Sequence, residues 1–139
     1  MNKKEYVFPM SIKKIADNEY IISSPINEIN VIGTAESFGE ALKVAKSSLE
    51  FTLFDMYEDN EAFPELTENE IMTIESNKTE NEFITFVSTN LFQILNTFGT
   101  DPIKKMVSIP QYQDFWLKQN NISPSKLLQE VIEDRIVLS

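Results

Sequence analysis

The side chains that could do chemistry in this chain are mostly carboxylates and amines, because its 139 residues include neither His nor Cys. This removes the commonest general base, the best soft nucleophile and the ligands on which zinc sites depend. Carboxylates alone could still hold Mg²⁺ or transfer protons. No acidic pair has the strand placement of a two-metal site, so we predict a non-enzymatic protein with no catalytic residue, metal or cofactor.

Charge is divided unevenly along the chain, whose formal net charge is −10. Residues 1–100 carry 7 Lys and 17 acidic residues, whereas residues 101–139 carry 5 basic and 5 acidic residues. The densest acidic stretch runs from Glu50 to Glu82, with 11 acidic side chains and only Lys78 opposing them. Such a surface attracts basic partners and repels phosphates, so only the last third is electrostatically suited to DNA.

The length allows one medium domain, or a small domain with a DNA-binding appendage. No apolar run is long enough to span a bilayer. The start, from Met1 to Lys14, lacks the apolar core of a secretory signal, so we expect a cytoplasmic protein.

The elements that would position these charges begin with strands. Alternating apolar residues predict a half-buried strand whose inner face carries Tyr6, Phe8, Met10 and Ile12. After a turn at residues 16–19, residues 20–23 and 30–33 predict two more strands of an antiparallel meander.

A long helix should follow, because Ser37 and Glu40 have the spacing of a capping box. We expect residues 66–81 to be mostly loop, residues 82–87 a strand and residues 90–98 a short helix. The buried face of the long helix is predicted to comprise Phe38, Leu42, Ala45, Leu49, Leu53 and Met56.

The last third has the pattern of one strand and two helices. Residues 104–109 predict a strand, residues 111–120 a helix ended by Asn121, and Ser123-Pro124 the cap of a second helix. Fewer than 40 residues cannot bury their apolar side chains alone, so this segment should dimerise through paired strands. The predicted dimerisation residues are Val107, Ile109, Trp116, Leu128, Val131 and Ile132.

A two-stranded ribbon of this kind fits the major groove of DNA. The first turn of the second helix would favour phosphate through its amides and dipole. The alternative is an ordinary helical hairpin with a surface lysine pair. The predicted DNA-binding residues are Lys104, Lys105, Met106, Ser108, Ser125 and Lys126.

Seven segments carry a resemblance to a known family: Tyr6–Pro9, Tyr20–Ile22, Ser37–Leu42, Glu61–Pro64, Glu82–Val87, Lys104–Pro110 and Ile122–Glu130. In their order and spacing they resemble HicB-type antitoxins over nearly the whole chain. Asn121 and Ala35 depart from the pattern, since the family usually has Gly at these positions, and Ser88 and Asn90 replace acidic residues.

The resemblance implies an α+β fold with two domains. Residues 1–98 would form a partial RNase H-like antiparallel sheet with one main helix, which neutralises a toxin. Residues 99–103 would be a linker, and residues 104–139 a C-terminal ribbon-helix-helix domain that dimerises and binds DNA.

The resemblance also implies two partners, a small basic HicA-like toxin that cleaves mRNA and the operator DNA of the chain's own operon. The protein would be a homodimer or a higher homo-oligomer that represses its own promoter. An acidic first domain suits a basic toxin. We predict that the toxin contacts Glu58, Asp59, Glu61, Phe54 and Tyr57.

Two non-enzymatic alternatives remain open. A stand-alone transcriptional regulator could use the same tail, with its first domain sensing a ligand or a protein. A plain interaction module would make no DNA contact at all. A toxin gene beside this one would separate the antitoxin from the regulator.

Overall fold

The computed structural model describes residues 4–139, which form two compact units, residues 4–100 and residues 101–139. Residues 1–3 of the predicted first domain lie outside the described residues. The predicted mixed α+β class is confirmed. The elements are β1 (Glu5–Ala16), β2 (Glu19–Ser23), β3 (Ile32–Ala35), α1 (Phe38–Glu58), α2 (Glu68–Ser76), β4 (Glu82–Asn90), α3 (Leu91–Phe98), α4 (Gln111–Gln119) and α5 (Pro124–Leu138).

The sheet of the first unit has the order β3-β2-β1-β4, with every neighbouring pair antiparallel. The alternation in β1 predicts the buried face correctly, because Phe8, Met10 and Ile12 are buried and Tyr6 is partly buried. Strand β3 lies two residues later than predicted. The loop before it buries Val31 in the core, and pairing with β2 begins only at the next residue.

The N-terminus of α1 is capped as predicted by Ser37, whose side chain accepts a hydrogen bond from the Glu40 amide at 3.1 Å. The second half of the predicted capping box is wrong. The Glu40 carboxylate accepts from the amide of Glu36, at 3.2 Å, and not from that of Ser37.

The predicted buried face of α1 is correct from Ala45 to Met56 but wrong at its start. Phe38 and Leu42 are exposed, and Ala41 is buried instead. Small residues allow β3 to approach the helix, since a Cβ on Gly33 would lie 2.8 Å from Val44 Cγ1. Phe38 packs edge-on against the rings of Phe83 and Tyr20, so it lies at the margin of the core.

The prediction of a loop over residues 66–81 is also wrong, because α2 occupies residues 68–76. A full capping box starts this helix: Thr67 accepts from the Glu70 amide, and the Glu70 carboxylate accepts from the Thr67 amide. Acidic residues in the first turn complement the helix dipole. Strand β4 continues three residues beyond the predicted end, and α3 follows directly with Asn90 as its N-cap.

In the second unit the two predicted helices are present, but residues 104–109 form no strand. A β-strand is defined by its hydrogen-bonded neighbour, and this segment pairs with no segment of the described chain. The turn between the helices is as predicted, with Asn121 at φ 51°. The Ile122 amide donates to the carbonyl of Leu117 at 3.0 Å, and the Ser123 side chain accepts from the Lys126 amide.

Candidate protein and nucleic-acid interfaces

An apolar groove of about 900 Å³, which we call the tail groove, lies within residues 101–139. Most of its apolar lining is exposed, so this unit lacks a closed core of its own. Five of the six predicted dimerisation residues line the groove, and Ile132 is exposed but does not line it. The five are Val107, Ile109, Trp116, Leu128 and Val131.

The predicted DNA-binding residues are all exposed and divide between two places. Lys104, Lys105, Met106 and Ser108 lie in the irregular segment before α4, and Met106 is fully exposed. Ser125 and Lys126 lie in the first turn of α5, which follows the N-cap Ser123 and begins at Pro124. Lys105 and Ser125 both line the tail groove, so each of these two places contributes a residue to it.

The predicted toxin contacts lie where α1 ends. The chain leaves the helix through Asn60 at φ 57°, with the Glu61 amide donating to the Met56 carbonyl at 2.8 Å. The Asn60 amide donates to the carbonyl of Tyr57 at 3.1 Å, which completes a Schellman motif. This turn presents Glu58, Asp59 and Glu61 together to solvent.

Of the two aromatic residues in the predicted toxin surface, only Tyr57 is exposed. Phe54 is partly buried and stacks on Phe98, with ring centroids 6.0 Å apart. It therefore supports the helix more than it offers a free anchor. Phe63, beyond the turn, packs edge-on against Tyr6 at 5.2 Å.

Sequence reasoning missed a second groove, of about 590 Å³, which we call the α1 groove. Phe51 gave a usable signal, because it lies off the apolar face of α1 and is nevertheless aromatic. The groove is lined by Asn30, Val31, Ile32, Ser47, Ser48, Phe51, Thr52, Asp55 and Phe98.

Residues 4–139 contain no group of three or more His, Cys, Asp or Glu side chains placed to hold a metal ion. No helix in this part of the chain is both long enough and apolar enough to cross a bilayer.

Comparison with known proteins identifies the fold. No protein-family model matches the sequence. No curated protein sequence matches it either. Among solved structures, one chain of a toxin–antitoxin complex from Streptococcus pneumoniae has 20% identity and a TM-score of 0.51, covering 95% of this chain and 99% of that chain. The fold is therefore one that occurs in toxin–antitoxin systems.

A second similar structure makes the likeness more specific. The antitoxin HicB of Burkholderia pseudomallei has 20% identity and a TM-score of 0.50, covering 96% of this chain and 98% of that chain. The resemblance to HicB-type antitoxins in the sequence is thus confirmed at the level of the fold.

Proposed function

We propose that this chain is an antitoxin that binds and inhibits a small, basic, HicA-like toxin that cleaves mRNA. One observation carries the proposal: the fold is similar to that of HicB over nearly the full length of both chains. The acidic first unit supports a basic partner. In this account the first domain, predicted over residues 1–98, is partial RNase H-like, and the toxin contacts Glu58, Asp59, Glu61 and Tyr57, with Phe54 behind them.

The tail, in the same proposal, forms a ribbon-helix-helix dimer. Residues 104–109 of two copies would pair as antiparallel strands, which gives each segment the neighbour it lacks in the single chain. The exposed lining of the tail groove supports this, because a second copy would remove it from water. Dimerisation would therefore complete both the ribbon and the core.

The paired strands would bind operator DNA in the major groove, and the chain would repress its own operon from the cytoplasm. Lys104, Met106 and Ser108 would face the bases, while Lys105 and the first turn of α5 would contact phosphates. The net charge of 0 over residues 101–139, against −10 over residues 1–100, makes the tail the part of the chain that phosphates repel least.

The test is co-expression of this chain with the small open reading frame next to its gene. We expect the neighbour alone to stop growth, and growth to return when the two proteins are made together and co-purify. If the neighbour is harmless or does not bind, the antitoxin proposal is wrong. A stand-alone transcriptional regulator would then be the leading account, tested by binding to its own promoter DNA.

A further inference from the structure

The α1 groove combines apolar and anionic groups on a surface that the toxin contacts above do not use. Phe51 and Ile32 in its walls are 52% and 79% exposed. Phe51 and Asp55 are one helical turn apart, so their side chains share a face of α1. Asp55 forms no ion pair with any residue between 4 and 139.

The hydroxyl groups in the groove are poised to accept hydrogen bonds. Ser47 donates to the Val44 carbonyl at 3.5 Å and Thr52 donates to the Ser48 carbonyl at 3.0 Å, while Ser48 itself donates to Val44. Each hydroxyl has one proton, so the oxygens are left with lone pairs to offer. Together with the Asp55 carboxylate they favour an occupant that is rich in donors.

The aromatic lining of the α1 groove favours a guanidinium group over an ammonium group as the hydrogen-bond donor. Phe51 meets Phe98 edge to face, with centroids 5.5 Å apart and planes at 71°. Guanidinium groups stack on aromatic rings and pair with carboxylates through parallel N–H donors, which ammonium groups do less well. An anionic occupant would be repelled by Asp55 and by the net charge of −10 over residues 1–100.

We propose that the α1 groove docks an arginine side chain of a basic protein partner. The guanidinium lies between the Asp55 carboxylate and the Phe51 ring, and an apolar neighbour of that arginine covers Ile32. In naming the toxin as this partner, the inference rests on the proposed antitoxin function. It adds a second contact, on the flank of α1, to the acidic surface where that helix ends.

The first experiment needs no partner protein. N-acetyl-arginine methylamide is titrated into the ¹⁵N-labelled chain, with the citrulline analogue as a neutral probe of nearly the same shape. We expect saturable amide shifts at Ile32, Thr52 and Asp55, and about tenfold weaker binding with citrulline or with Asp55→Asn. Asp17→Asn, in the exposed β1–β2 turn, is the matched control. Equal shifts with both probes, or binding unchanged in Asp55→Asn, would overturn the proposal.

The second experiment uses the product of the neighbouring open reading frame. Phe51→Ala and Asp55→Asn should each weaken its binding about tenfold or more. Phe83→Ala is the matched control, because Phe83 is similarly exposed and also makes an edge-on contact, with Phe38 at 5.2 Å. Thermal unfolding of each variant checks that the fold is intact.

The outcomes separate this inference from the proposed function. If the wild-type chain binds the neighbour and only variants at Glu58, Asp59 and Glu61 weaken it, the groove proposal is wrong and the antitoxin role stands. If the wild-type chain does not bind the neighbour, the antitoxin role fails. The titration with the arginine and citrulline probes then decides the groove by itself.

Discussion

Truncating two side chains of the tail groove should dissociate the proposed dimer. Leu128 and Val131 lie one helical turn apart on α5 and are 42% and 50% exposed. Burying a whole Leu or Val side chain contributes about 1.5–3 kcal/mol, so covering the exposed half contributes about 1 kcal/mol. A symmetric dimer contains two copies of each residue, which makes the total for Leu128→Ala with Val131→Ala about 4 kcal/mol.

A loss of this size raises the dissociation constant of the dimer by roughly a thousandfold, since each 1.4 kcal/mol is a factor of about ten. Sedimentation equilibrium over a wide concentration range measures it directly. Alanine has a higher helix propensity than valine and a slightly higher one than leucine, so α5 itself should not be weakened. Met72→Ala, on the exposed face of α2 in the other unit, is the control and should leave the dissociation constant unchanged.

Two results would refute this reasoning. The wild-type chain could remain monomeric at every concentration, which would show that no second copy covers the groove. Alternatively, the double variant could dimerise as tightly as the wild type, which would place the dimer contact elsewhere.

Three further predictions concern DNA, pH and close packing. Affinity for DNA from upstream of the chain's own gene falls as the salt concentration rises, and Lys105→Gln should make this dependence shallower by about 1 in the slope of log affinity against log salt. An unchanged slope would show that Lys105 makes no phosphate contact. Hydrogen bonds from the Ser11 hydroxyl and from a backbone amide hold the pKa of Glu82 below its ordinary value. The ionised Glu82 carboxylate therefore stabilises the folded protein above the pKa that Glu82 has in the unfolded chain, and this contribution is lost as the pH falls through the folded pKa. In Ser11→Ala, an NMR titration should show the pKa of Glu82 rising towards its ordinary value, and an unmoved pKa would contradict the assigned cause. A Cβ on Gly39 would meet nothing within 4 Å, so chemical denaturation should show that Gly39→Ala raises the free energy of unfolding by about 0.5 kcal/mol. Gly33→Ala should cost about 1 kcal/mol or more because its Cβ meets α1, and equal effects at the two glycines would refute the close approach.

Much of the fold could be predicted because its signals are local. The alternation in β1 and the Ser37 cap each depend on residues within a few positions of one another. The signal for the helix over residues 68–76 is equally local, since Thr67 and Glu70 have capping-box spacing. The acidic composition of this segment resembles that of a solvated loop, however, and the prediction of a loop followed the composition and not the capping signal.

The candidate surfaces were harder to predict because they depend on contacts between distant residues. Phe54 looks like a free anchor in the sequence, but in the fold it packs against the core and stacks on Phe98, which is distant in the sequence. The α1 groove likewise depends on the fold, because it brings together Ile32 and Asp55, which are distant in the sequence. For residues 104–109 the sequence pattern predicts a strand that the single chain does not form, because the strand with which they are expected to pair belongs to another molecule.

The most direct measurement is the cleavage of a labelled RNA by the purified neighbouring gene product while this chain is titrated in. Our account predicts that cleavage falls in proportion to added chain and stops at a fixed stoichiometric ratio, as expected for tight inhibition. It also predicts that neutralising Glu58, Asp59 and Glu61 shifts the end point to higher concentrations. Cleavage that continues at full rate in excess wild-type chain would contradict the antitoxin assignment.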